Sequence, residues 1–115
     1  MSHQHDNQQR LNLLAQPRPM TVDMLFRMFG TVLIPLEDVR AKMFRNLNEK
    51  RFRLTVGTRR LPIPVTTVDG SSKALPFIEI HQLAAYIEHR ATLADEDLVR
   101  LLNSSEVPEL EAEED

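Results

Sequence analysis

The chain has 115 residues, of which 42% are hydrophobic and 5% aromatic, with a formal net charge of −3 and no cysteine. That is room for one small domain with a modest core, and it excludes disulfides, thiolate metal sites and cysteine nucleophiles. No apolar run approaches the roughly 18 residues of a membrane span, and the polar start, Met1–Arg10, lacks the apolar stretch of a secretory signal, so a cytoplasmic protein with no membrane partner is expected.

Residues 1–19 are predicted to be a disordered arm of glutamines and asparagines ending in Pro17 and Pro19. His3 and His5, with only Asp6 nearby, read as mobile terminal histidines and not as metal ligands. The domain is placed at 20–103. Thr21 suits an N-cap and Asp23 the first turn of a helix. Val22, Leu25, Phe26 and Phe29 then recur at helical spacing up to Gly30, a C-terminal stop. Thr31–Ile34 is β-branched and short, an extended link or small strand. Pro35 fits the first position of a second helix, with Glu37 and Asp38 in its first turn and Leu36, Val39, Met43 and Phe44 as its apolar stripe.

Asn48 is predicted to cap a third helix. Phe52 and Val56 define its buried side; Lys50, Arg53 and Gly57 lie roughly opposite, and Leu54 also points away from the core. Gly57 ends this helix, and Pro62 and Pro64 forbid another. Ile63–Val68 and Leu75–Ile78 read as a hairpin around a type I′ turn at Asp69-Gly70, with Pro76 confining the return strand to an edge. Ile80–Arg90 is predicted as a helix with Leu83, Ala84 and Ile87 inward, and Asp95–Leu102 as a further short one. Residues 104–115 read as a disordered acidic tail. Met20, Met24, Met28 and Met43 are expected to fill the core or a dimer face, and His81 and His89, eight apart, to lie at the surface.

The charges are segregated along the chain. Residues 40–73 hold nine cations (Arg40, Lys42, Arg45, Lys50, Arg51, Arg53, Arg59, Arg60 and Lys73) against two anions, Glu49 and Asp69, a net of +7. Residues 95–115 hold nine anions against Arg100, a net of −8. Such a basic segment attracts polyanions and is the footprint expected of a nucleic-acid-binding module. The element order helix, turn, helix, hairpin, helix is that of a winged helix-turn-helix, in a fold that is α+β and mostly helical with an additional N-terminal helix. In such a fold the second helix of the pair enters the major groove.

The expected DNA-binding residues follow from that placement. Lys50, Arg51 and Arg53 would face the groove. Asn48 would cap the helix and could also read a base. Glu49 either accepts from a cytosine amino group or complements the helix dipole. Arg59 and Arg60 would touch phosphate, and Ser72 and Lys73 on the hairpin would reach backbone or minor groove. The expected partner is double-stranded DNA. A single winged helix covers few base pairs, so a homodimer or a cooperative oligomer on DNA is expected, with Leu54 and Leu98–Leu102 as candidate contacts. No phosphate loop, nucleophile elbow or ligand cluster is present in the sequence, so neither catalysis nor a metal or other cofactor is expected.

The stretches "TVDMLFRMFGT", "IPLEDV", "LPIPV" and "SSKALPFIEIHQLAAYIEHR" make Thr21–Arg90 resemble the pyocin activator (PrtN) family of bacterial transcription regulators. More distantly, the same order is similar to phage excisionases, Cox-type regulators and the MerR-like winged helices. The resemblance implies a sequence-specific DNA-binding activator of phage-tail-like bacteriocin or prophage genes, with RNA polymerase as a partner. The distant likeness implies a different role, an excisionase-like DNA-bending protein or a phage-derived protein-binding adaptor.

Overall fold

Ile34 and Ile78 lie opposite each other in a two-stranded antiparallel pair, and both are fully buried. In the computed structural model, which describes residues 16–104, these strands are β1 (Leu33–Pro35) and β2 (Phe77–Glu79). Each leads without a gap into a helix: β1 into α2 (Leu36–Met43) and β2 into α4 (Ile80–Leu102). A helix at the start, α1 (Pro19–Phe29), and one after α2, α3 (Glu49–Thr55), complete an α+β fold that is mostly helical. The histidines at 3 and 5, most of the predicted arm and nearly all of the acidic tail lie outside the described residues. No described helix is long and apolar enough to cross a membrane.

Helix α1 begins at Pro19, two residues before the predicted cap. Proline suits the first helical position because its fixed φ is helical and its missing N–H would have no partner there. Thr21 therefore sits in the first turn. Gly30 ends the helix as expected, with φ +77 and its N–H on the Phe26 carbonyl at 2.7 Å. Leu25 points into the core, flanked by half-buried Val22 and Phe29. Met20, Met24 and Met28 are exposed and do not fill the core; of the four methionines considered, only Met43 packs against it.

Leu36 and Val39 turn α2 inward, with Met43 and half-buried Phe44 alongside. Pro35 caps this helix instead of opening it. Glu79 caps α4: its Oε1 accepts from the backbone N–H groups of His81 (3.0 Å) and Gln82 (3.2 Å). The predicted hairpin reduces to one bridge, in which Thr66 and Phe77 exchange backbone hydrogen bonds of 2.8 Å. Pro62, Pro64 and Pro76 cannot donate to a ladder, which explains why it does not extend. Gly70 does not take a positive φ, so no type I′ turn forms. Instead the Asp69 side chain accepts from the Ser71 N–H, and Ser71 Oγ from the Lys73 N–H at 3.1 Å. Pro76 lies just outside β2. At Phe77 that strand has β1 on one side and Thr66 on the other, so it is not an edge there.

The two helices predicted for the C-terminal part are one helix of 23 residues. Its middle, Ala91-Thr92-Leu93-Ala94, contains no glycine or proline to break it. From Ala94 to Ser104 every residue is exposed, Leu98, Val99, Leu101 and Leu102 included. His81 is exposed, but His89 is buried on the inner part of this helix, contrary to the surface expected for it.

Glu88 of α4 clasps the start of α1. Its Oε2 accepts from the Arg18 N–H and from Arg18 Nε, both at 3.1 Å. Hydrogen bonding from the Thr21 side chain, then from Arg18, holds the Glu88 carboxyl below its ordinary value of 4.5 against an opposing effect of partial burial. A lowered carboxylate stabilises the fold fully above its unfolded value, and that contribution is lost as pH falls through the folded value. Thermal melts between about pH 6 and pH 3 are therefore expected to decline less steeply for Glu88→Gln than for wild type. Parallel declines would show that the clasp adds no acid-sensitive stability.

Candidate nucleic-acid interface

The site is built on two helices and the turn between them. Residues Phe44–Asn48 connect α2 to α3. Leu47 is buried in that turn, and its N–H reaches the Phe44 carbonyl at 3.0 Å. Arg40 holds the turn from α2: its NH1 donates to the Leu47 carbonyl at 2.9 Å, and Nε and NH2 form a fork on Glu37 at 2.9 and 2.8 Å. This fork lowers the Glu37 carboxyl and raises Arg40. Arg40 is thus a brace for the turn, not a cation free to meet a ligand.

Asn48 caps α3 as the sequence predicted, its Oδ1 accepting from the Arg51 N–H at 2.7 Å. Phe52 and Thr55 turn inward, and the Phe52 ring lies 5.2 Å from Phe44 at 35°. Lys50, Arg51, Arg53 and Leu54 are consequently left on the outside. Arg53 NH2 meets Glu49 Oε2 at 3.3 Å, a pair exposed on both sides and weak enough for either partner to exchange it. The helix ends at Thr55. Gly57 then takes φ +82, a left-handed conformation costly for other residues, and its N–H donates to the Leu61 carbonyl at 2.8 Å. Arg59 and Arg60 are exposed on the short loop so formed, immediately beyond the end of α3.

Seven of the nine cations in residues 40–73 have no side-chain ion pair or hydrogen bond among the described residues: Lys42, Arg45, Lys50, Arg51, Arg59, Arg60 and Lys73. All seven are exposed. Lys42 and Arg45, at the end of α2 and in the turn, extend the set beyond the residues singled out by the sequence; their signal was the basic polar face of α2. Ser72 and Lys73 stand apart on the loop 67–76. No hydrogen bond or ion pair links that loop to α3 among the described residues.

Residues 21–94 match the family model of pyocin activator protein PrtN. The chain belongs to this family. No curated protein and no solved structure matches it. Membership in the family supports a role in regulating pyocin genes and suggests a non-enzymatic protein. The match begins at Thr21 and ends at Ala94, so it takes in α1 from its third residue, α2, α3, the whole basic segment and the packed part of α4.

Proposed function

We propose that the chain is a sequence-specific DNA-binding activator of pyocin genes, and that α2, its turn and α3 form the helix-turn-helix. The observation that carries this reading is the set of exposed cations, unpaired among the described residues, around a capped α3 that is anchored in the core through Phe52 and Thr55. Lys50 and Arg51 would reach base edges, and Arg53 would join them by exchanging Glu49 for DNA. Asn48 remains the cap, and Glu49 either stays with Arg53 or accepts from a cytosine amino group. Arg59 and Arg60 would hold phosphate. The loop 67–76, anchored by the Thr66–Phe77 bridge, would serve as the wing and bring Ser72 and Lys73 to the backbone. Duplex DNA and RNA polymerase are the partners this reading requires, with dimeric or cooperative binding on the operator.

The test is a mobility-shift and transcription assay with DNA from upstream of pyocin genes and with random duplex. Preferential binding with a gain in transcription is expected. Bending without activation would instead favour an excisionase-like role, and absence of DNA binding at low salt would leave a protein-binding adaptor. Within that assay, Lys50→Ala, Arg51→Ala or Arg53→Ala should cost about 1–3 kcal/mol wherever the side chain reads a guanine, and should relax one base position. Arg60→Ala should weaken all sequences about equally. If all three helix substitutions leave affinity and preference unchanged, α3 does not enter the groove.

A further inference from the structure

Leu54 is 63% exposed on α3, whose opposite side is committed to the core through Phe52 and Thr55. Positions three and four apart are neighbours on a helix surface, so Leu54 stands beside Arg51 and Lys50, with Arg53 adjacent in the chain. Lys50 and Arg51 have no side-chain partner among the described residues. An apolar side chain is thus presented within a cationic surround. A second copy of this face is a poor occupant, because pairing α3 with α3 would set these cations against their own counterparts. The major groove of DNA offers what the surface fits: phosphates for the cations and, on thymine, an apolar 5-methyl group projecting between polar base edges.

We propose that Leu54 is a specificity-determining residue that contacts the 5-methyl group of a thymine in the operator. The inference rests on the DNA-binding reading and adds to it a position at which sequence is read by apolar contact rather than by hydrogen bonding.

The experiment uses duplexes selected from a random pool by the full chain. Each thymine of a selected duplex is replaced in turn by uracil, which removes one methyl group and keeps every hydrogen-bonding edge. At one position the replacement is expected to weaken wild-type binding about fourfold, the worth of one buried methyl group. The same replacement should leave Leu54→Ala unaffected, while Leu54→Met keeps a sensitivity close to wild type. The inference is overturned if no thymine shows this coupling, or if Leu54→Ala loses as much as wild type at every position. It is overturned equally if Leu54→Ala binds the selected duplex as tightly as wild type but changes from dimer to monomer in light scattering, which would assign Leu54 to a second copy. Failure of the selection to enrich any duplex would sink the DNA reading itself, an outcome distinct from loss of methyl sensitivity.

Discussion

Raising the salt from about 50 to about 200 mM is expected to weaken binding of the chain to duplex DNA about a thousandfold. Seven exposed cations of the 40–73 segment have no ion pair among the described residues, and engaging about five or six phosphates with them releases as many counterions, giving a slope near −5 in log K against log salt. Arg40 adds nothing to this slope, because Glu37 and the Leu47 carbonyl already hold it. Arg60→Ala should make the slope shallower by about one. Titrations by fluorescence anisotropy at several salt concentrations measure it directly. A slope shallower than about −2 would mean that the cations do not form a common phosphate-binding surface.

Phe52→Ala is expected to have the largest effect on stability, about 3–5 kcal/mol. Phe52 is 1% exposed and is among the largest fully buried side chains. Its ring packs against Phe44 at 5.2 Å, which ties α3 to the end of α2. Small domains have only about 5–15 kcal/mol in total. The melting temperature should fall by about 15 °C or more in circular dichroism. On the proposed function, DNA affinity at physiological temperature should fall with it, since α3 loses its anchor. A drop under about 5 °C would show that α3 is held by other contacts.

Local signals made much of this fold legible. Asn48 as a cap, Gly30 as a stop and the spacing of Phe52 and Val56 each depend on residues within one helical turn, and each stands in the structure. Three other features differ from what the sequence suggests, the first through a distant contact and the other two for local reasons. Thr21 reads as a cap until Glu88 of α4 is known to accept from Arg18. The Asp69-Gly70 pair reads as a hairpin turn until the Asp69 side chain takes the Ser71 N–H and the prolines withhold their donors from the ladder. Ile80–Arg90 and Asp95–Leu102 read as two helices, yet nothing in Ala91–Ala94 breaks a helix and α4 runs through. In the candidate site, the basic segment was plain in the sequence. Which cations are free was only partly so: the Glu37–Arg40 and Glu49–Arg53 spacings, three and four residues, already allowed for pairing.

The clasp between Arg18 and Glu88 spans 70 positions of the chain. Synthesis runs from the N-terminus, so α1 is made long before the carboxylate that secures it. Ile34 likewise waits for Ile78 before β1 can pair. By contrast α2 and α3, joined by a short turn and the Phe44–Phe52 contact, can associate early, because their contacts are local. The nascent protein therefore cannot close this clasp before Glu88 has been made, and a chain truncated before that point lacks the carboxylate that holds the start of α1.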